Sequence, residues 1–331
     1  MNAKFRKHEK ILPAHIHLAA SDLDAAAEVA RHYAVGVTPH ILDTIHGPPS
    51  SDPVARQYIP QREELRALPG ESADPIGDDA HSPVKGIVHR HRDRVLLKAA
   101  SVCAVYCRFC FRREKIGPDS DVLKPRELDA ALAYIASHPE IWEVILTGGD
   151  PLILSPRQLD KIVSALRVMP HVQIIRIHTR TPVAAPDKIS AALCRVLQGA
   201  GKPVYVALHI NHAQEITDDV RRAVHDLRAA GCTLLSQSVL LKGVNDSAAA
   251  LEDLFRALVT MHVKPYYLHH PDLAPGTGHF RLSIAEGQEI MRDLQGRVSG
   301  LCLPHYMLDI PGGHGKVPVG PHYIESQEGD D

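Results

Sequence analysis

Arg94-Val-Leu-Leu-Lys-Ala-Ala-Ser-Val-Cys103-Ala-Val-Tyr-Cys107-Arg-Phe-Cys110 places three closely spaced cysteines directly after a short apolar run. The run Arg94–Ala99 is predicted to be a β-strand, so the cysteines lie in the loop that follows it. In parallel α/β folds, the loops after the carboxyl ends of the strands carry the chemistry. The stretch therefore predicts a functional loop at one rim of a parallel sheet.

Outward from this stretch, short apolar runs alternate with amphipathic segments of helix length. The further predicted strands are Glu143–Leu146, Val172–His178, Val204–Ile210, Thr233–Leu241 and Pro265–His269. The predicted helices are Pro125–Ser137, Pro156–Val168, Pro186–Leu197, Asp218–Ala229, Ala248–Met261 and Ile284–Val298. Near-continuous apolar strands separated by helices are typical of a parallel sheet covered on its faces. The predicted fold class is α/β, a partial (β/α)6 TIM-like barrel with parallel strands.

The other parts of the chain are predicted to surround this barrel, which spans residues 86–305. Residues 1–85 form a mainly helical N-terminal extension that wraps the core, and residues 306–331 form a C-terminal segment. In the extension, a helix Asp22–Tyr33 with Ser21 as its N-cap and a short helix Gln61–Ala67 are predicted. Prolines exclude long helices between them, at Pro39, Pro48, Pro49, Pro53 and Pro60.

The composition is that of an ordinary globular protein, with 331 residues, 44% of them hydrophobic, and a formal net charge of −2. This charge gives no reason to expect a nucleic-acid partner. No apolar stretch predicts a membrane span or a signal sequence, so the cytoplasm is the predicted location. Cys194, Cys232 and Cys302 are interpreted as buried free thiols. The 22 histidines are interpreted as mostly solvated or core residues.

Cys103, Cys107 and Cys110 form a C-x3-C-x2-C motif. Three thiolates at this spacing can bind three irons of a cubane and leave the fourth iron open for a chelating ligand. The alternative is structural zinc, which takes four protein ligands and pairs one C-x2-C with another. No second pair exists in the sequence, so the motif favours a 4Fe–4S cluster.

The motif, with an aromatic residue before its last cysteine, resembles that of the radical S-adenosylmethionine superfamily. Gly148-Gly149-Asp150-Pro151 follows the second predicted strand and looks like that superfamily's glycine-rich turn, which contacts the methionyl amino group. Taken alone, Gly-Gly-Asp is also an ordinary turn sequence. The resemblance implies a 4Fe–4S cluster and S-adenosylmethionine as cofactors, with Gly148, Gly149 and Asp150 near the latter.

A narrower resemblance, to the lysine 2,3-aminomutase family, extends from about Asp52 to Tyr323. It rests on the segments Cys103–Arg113, Leu146–Leu152, Arg176–Pro182, Gln237–Asp246 and Asp309–Val319. This resemblance implies pyridoxal 5′-phosphate as a third cofactor, bound through Lys316, and a cofactor contact for Gln237. Without the family, the sequence favours a solvated lysine on a flexible loop for Lys316.

The resemblance also assigns the charged residues around the cofactors. Arg90 and Arg94 match arginines near the pyridoxal phosphate group, and a solvated basic loop is the alternative. Arg112 matches the arginine that pairs with the substrate carboxylate. Asp272 and Asp309 match two aspartates that receive a distal ammonium, although a turn residue and a cap are ordinary roles for them.

The implied reaction is movement of the 2-amino group of L-lysine to C3, which yields β-lysine and makes the chain an isomerase. The same chemistry serving β-lysylation of elongation factor P, or acting on another amino acid, is the alternative. A flavodoxin or ferredoxin is the expected electron donor, and a homodimer is possible. Because Ser247 stands where longer relatives have a zinc ligand, no zinc is expected. The rival classes are a radical enzyme without pyridoxal phosphate and a zinc-stabilised binding module.

Overall fold

A computed structural model describes residues 20–117, 122–312 and 315–323 of the chain. Its centre is a nine-stranded sheet in which strands β1 to β9 follow one another in chain order. The strands are β1 Ile87–His91, β2 Arg94–Ala100, β3 Glu143–Gly148, β4 Ile174–Thr179, β5 Val204–His209, β6 Thr233–Val239, β7 Lys264–His269, β8 His305–Ile310 and β9 Gly315–Pro318. Neighbouring strands from β2 to β8 are parallel, whereas β1 and β9 are antiparallel to their neighbours.

The described sheet remains open because β1 and β9 are its two edges. This confirms the predicted α/β partial barrel, and all six predicted strands are present. Three strands were missed. β1 and β9 are short, and β8 mixes polar with apolar residues, so none has the apolar run that marks a buried strand. The prediction of six parallel strands is therefore corrected to seven, and the C-terminal segment adds two strands to the same sheet.

The described α-helices are α1 Ala20–His32, α2 Pro39–Asp43, α3 Pro53–Tyr58, α4 Pro125–Ala136, α5 Pro156–Arg167, α6 Thr181–Ala184, α7 Ala191–Gln198, α8 Asp218–Ala229, α9 Ala248–Thr260 and α10 Ile284–Gln295. The predicted helix Pro186–Leu197 is in fact a 3-10 turn followed by α7. Its real start is Ser190, whose hydroxyl accepts a hydrogen bond from Leu193 N at 3.3 Å. None of the described helices is long and apolar enough to cross a membrane.

The N-terminal extension contains short elements, as its prolines predict. Pro39 and Pro53 each occupy the first turn of a helix, where a missing N–H costs nothing. Helix α1 already includes Ala20, so the prediction that Ser21 caps it is wrong. The predicted helix Gln61–Ala67 is a 3-10 turn over Arg62–Leu65.

The two faces of the parallel strands have opposite character. On β4, Ile175 and Ile177 are fully buried in one hydrophobic core against the surrounding helices. The alternate residues Arg176 and His178 face the interior of the barrel. Polar residues in these strands therefore line a central cavity and do not interrupt the core.

Candidate active site

One cavity of about 340 Å³ lies inside the barrel, toward the carboxyl ends of the strands. Every residue that the sequence predicts for the site lines it. These are Arg90, Arg94, Cys103, Cys107, Cys110, Arg112, Gly148, Gly149, Asp150, Gln237, Asp272, Asp309 and Lys316. Residues more than 200 positions apart in the chain thus share one chamber.

The cysteine loop between β2 and α4 is held by the N-terminal extension. Tyr106 N donates to Gly36 O at 3.0 Å, and Arg108 N donates to Gln57 O at 2.8 Å. The Arg108 guanidinium is buried against the fully buried carboxylate of Glu64, with nitrogen–oxygen distances of 2.6 to 3.0 Å. Arg113 pairs with the same carboxylate. Arg108 and Arg113 therefore share one acid of the extension as their counter-ion.

The three thiols of the loop are suited to bind metal. None is in a disulfide, and burial raises the pKa of Cys110 to about 11 and that of Cys103 well above its ordinary value. Such thiols keep their protons at neutral pH until a metal ion supplies the compensating charge. A cubane assigns its cysteines to three different irons, so this loop fits a cluster.

Gly148 and Gly149 allow the turn after β3 to approach the cysteine loop. Gly148 has φ of +108°, which favours glycine, and a Cβ on Gly149 would lie 2.3 Å from Val102 O. Because side chains are absent at these two positions, the two backbones can form hydrogen bonds with each other. Gly149 N donates to Ala100 O at 2.7 Å, and Asp150 N donates to Val102 O at 2.9 Å. The glycines are therefore required by the contact between the two loops, which the sequence did not reveal.

The Asp150 carboxylate organises the next turn of the rim. It accepts hydrogen bonds from Leu152 N at 3.0 Å, Thr179 Oγ1 at 2.6 Å, Arg180 N at 2.6 Å and Thr181 N at 2.8 Å. These bonds use both oxygens, so the side chain serves as an internal anchor. Contact with S-adenosylmethionine stays a prediction for this turn. A cofactor contact also stays a prediction for Gln237, which lines the cavity from β6.

Lys316 and Asp309 are direct register partners on β9 and β8. Lys316 Nζ lies 2.8 Å from Asp309 Oδ2, and Arg90 Nη1 lies 2.9 Å from Oδ1. Although burial opposes it, Lys316 and Arg90 hold the pKa of Asp309 below its ordinary value. Arg90 also donates to Ile76 O and Ile310 O, so its predicted contact with phosphate would require a change of partners.

Two other arginines offer cationic groups to the same chamber. Arg94 pairs at its rim with Asp93 at 2.7 Å. Arg176, which the sequence did not predict, pairs with Glu143 at 2.9 Å, and its buried Nε has no partner among the described residues. A phosphate group bound next to Arg94 and Arg176 would accept a hydrogen bond from this unpartnered guanidinium nitrogen.

Arg112 is held by Asp78 of the extension. Asp78 Oδ2 accepts from Arg112 Nη2 at 2.8 Å and from Nε at 3.3 Å, and the guanidinium lies over the Phe111 ring at 4.5 Å. Within the described ranges, Nη1 donates to no protein group. This free edge is suited to a substrate carboxylate, as predicted for Arg112.

Asp272 is the one predicted acid whose carboxylate has no hydrogen-bond donor among the described residues. Burial, and secondarily the charge of Asp309, raise its pKa to about 6, although Lys316 opposes this shift. A buried, unpaired carboxylate is unfavourable unless a cation joins it. The structure therefore leaves a place for a positive group at Asp272.

Five histidines line the cavity, namely His91, His178, His209, His269 and His270. Three of them, His178, His209 and His269, lie on parallel strands, and burial lowers the pKa of each well below its ordinary value. The rings of these three are therefore neutral at pH 7. Their position next to apolar residues at every second place in a strand is the signal that could have identified them.

Comparisons with known proteins place this site in a family. Residues 98–255 match the radical SAM superfamily, and residues 291–331 match the family model described as lysine-2,3-aminomutase. The L-lysine 2,3-aminomutase of Clostridium subterminale is 40% identical, over 96% of this chain and 76% of that protein. The glutamate 2,3-aminomutase of Clostridioides difficile is 35% identical, over 94% of this chain and 74% of that protein.

A solved structure supports the fold. SuiB of Streptococcus suis, bound to S-adenosylmethionine, has a TM-score of 0.50 over 71% of this chain and 53% of its own, at 13% identity. Radical SAM enzymes use a 4Fe–4S cluster and S-adenosylmethionine, and in this chain Cys103, Cys107 and Cys110 are the residues that would hold the cluster. This chain belongs to the lysine 2,3-aminomutase family of radical S-adenosylmethionine isomerases.

Proposed function

We propose that this protein is a pyridoxal-phosphate-dependent aminomutase that moves the 2-amino group of free L-lysine to C3 and so forms β-lysine. The observation that carries the proposal is the unpaired carboxylate of Asp272, which faces the same cavity as Arg112 and Lys316. Together these residues offer an acceptor for a distal ammonium, a donor for a carboxylate and a reactive amine.

The residues around Lys316 fit pyridoxal phosphate. Lys316 would hold the cofactor, and Arg94 with the unpartnered Nε of Arg176 would seat its phosphate. When bound, the cofactor supplies a conjugated system that stabilises a radical next to the migrating nitrogen. The Asp309 carboxylate lies 2.8 Å from Lys316 Nζ and would hold this amine in place for attachment of the cofactor.

Substrate orientation follows from the distribution of charge. The free edge of Arg112 favours the α-carboxylate, while Asp272 favours the ammonium at the other end of the substrate. His178 and His269 are neutral, so they present polar edges to the substrate without competing for either charge. The buried position of these groups excludes water from the reacting carbon.

Sequence similarity to known enzymes does not by itself identify the substrate amino acid, because a glutamate 2,3-aminomutase is also a relative. The side chain of glutamate would bring a second carboxylate toward Asp272 and Asp309. Burying like charges together is costly, so this pair disfavours glutamate and favours lysine.

The test is an anaerobic assay of the reconstituted protein with lysine, arginine and glutamate, each supplied separately. Reduction by dithionite, or by the proposed physiological donor, a flavodoxin or ferredoxin, starts the reaction. We expect β-lysine to accumulate and the β-isomers of arginine and glutamate to remain near background. Faster isomerisation of glutamate than of lysine would reject the proposed substrate.

Attachment of the cofactor is tested separately. Borohydride reduction should fix pyridoxal phosphate to the peptide that carries Lys316, as detected by mass spectrometry. Lys316→Ala should lose this label and keep its iron, whereas Lys85→Ala, an exposed lysine paired with Glu127, should retain both. Full pyridoxal-dependent turnover by Lys316→Ala would show that another lysine is used.

A further inference from the structure

Arg180 lies directly after β4 and reaches the cysteine loop. Its Nη1 is 3.4 Å from Cys107 Sγ, and both residues line the cavity. In the loaded protein this sulfur would be a thiolate bound to iron. In the described residues, this is the one cysteine of the motif that receives a charged side-chain donor.

The other two cysteines have neutral donors. Backbone N–H groups of Asp150 and Arg112 approach Cys103 and Cys110, respectively. A backbone amide carries no net charge, whereas a guanidinium brings a full positive charge to the sulfur. The surroundings of the three predicted ligands are thus asymmetric.

Arg180 is fixed in this position from several sides. Its Nη2 donates to Gln57 Oε1 at 2.7 Å and to the carboxylate of Glu215. The guanidinium carbon lies 4.9 Å from the centre of the Tyr58 ring and 5.5 Å from that of Phe109. The side chain therefore has little freedom to turn away from Cys107.

Glu215 is fully buried, and its carboxylate accepts hydrogen bonds from four other donors besides Arg180. It accepts from Asn211 N and His212 N at 2.9 Å, and from the side chains of Gln57 and Tyr58 at 3.3 Å. Because these donors share the negative charge of Glu215, the positive charge of Arg180 is only partly neutralised. Arg180 Nη1, which Glu215 does not contact, is the nitrogen that lies next to the Cys107 sulfur.

We propose that Arg180 is a positioning residue that raises the reduction potential of the cluster through its hydrogen bond to Cys107, and that Glu215 moderates this effect. Reduction adds one electron, supplied by the external donor, to the cluster and its thiolates. A cation and a hydrogen bond at a ligating sulfur stabilise the more negative, reduced state. This role does not depend on which amino acid the enzyme isomerises.

The experiment measures the midpoint potential of the anaerobically reconstituted protein, followed by electron paramagnetic resonance during a dithionite titration. S-adenosylmethionine and amino acid are omitted, so the readout is independent of turnover. Arg180→Gln should shift the reduction equilibrium at least tenfold toward the oxidised cluster, which is 59 mV for one electron. Glu215→Gln should shift it in the opposite direction.

A matched control is Arg281→Gln, which alters a half-buried ion pair with Glu71 outside the cavity lining and should leave the potential unchanged. If the two residues had a purely structural role, Arg180→Gln and Glu215→Gln would shift the midpoint potential in the same direction. That result would overturn the proposal. Midpoint potentials of both variants equal to that of the control would also overturn it.

If Arg180→Gln fails to hold iron, the double variant R180Q/E215Q is measured in its place, because it leaves no unpaired buried charge. Its potential should then fall below that of the wild type, and an unchanged value would also overturn the proposal.

Discussion

Replacing Asp272 by Asn should stabilise the substrate-free protein and at the same time weaken its binding of lysine. Burial raises the pKa of this carboxyl from 3.8 to about 6. An acid with a raised pKa is harder to ionise in the folded chain than in the unfolded chain. Its ionisation therefore opposes folding at pH values above 3.8, and the full cost is present above pH 6.

The size of this cost follows from the shift. Two pKa units or slightly more correspond to about 3 kcal/mol at pH 8, and roughly half of that remains at pH 5. Asn has nearly the same shape and no charge, so Asp272→Asn should recover most of it. The variant should unfold at a temperature several degrees above that of the wild type at pH 8, with a smaller gain at pH 5.

Thermal unfolding of the substrate-free protein at pH 5 and pH 8, followed by circular dichroism, measures this difference. Asp79→Asn is the control, because that carboxylate is exposed. The same variant should have a KM for lysine at least tenfold higher, since the ammonium loses its buried acceptor. The reasoning fails if Asp272→Asn gains no stability, or if its gain is the same at both pH values.

Three further substitutions test the surroundings of the cysteine loop. Glu64→Gln should cost about 3–5 kcal/mol in the free energy of unfolding, because it leaves two buried guanidinium groups without a counter-ion, and chemical denaturation will measure the loss. Asp78→Asn should raise the KM for lysine with little change in kcat, because Arg112 loses its support; Asp79→Asn serves as control, and an unchanged KM would contradict this role. Gly149→Ala should reduce iron content per chain, since its Cβ would lie 2.3 Å from Val102 O, and normal iron loading would show that the loops can separate.

The barrel could be predicted from sequence because its strands and helices carry local signals. Apolar runs such as that of β5 mark buried strands, and periodic segments such as α8 mark helices that cover them. The cysteine motif is also local, since its three ligands lie within eight residues. Strands β8 and β9 have no such signal. They join one edge of the open sheet by pairing with their neighbours, for example Asp309 with Lys316, and only the tertiary structure brings these segments together.

The partners of the charged residues could not be predicted in the same way. Asp78 and Arg112 are 34 positions apart, and Arg180 and Glu215 are 35 positions apart. Each is an ordinary surface-type residue when considered in the sequence alone. Only tertiary packing removes them from water, and burial then requires that every charge find a counter-charge or a ligand.

The N-terminal extension determines which positive charges remain available in the site. The cysteine loop carries three arginines, Arg108, Arg112 and Arg113, within six residues of one another. Glu64 pairs with the first and the last of them, while Asp78 occupies one edge of Arg112 and leaves Nη1 free. Without these acids, three cations would repel one another beside the cluster and would each attract an anionic ligand. With them, Arg112 Nη1 faces the cavity without a protein partner among the described residues. Under the proposed function, the extension therefore contributes to substrate recognition although it supplies no cysteine and no lysine to the site.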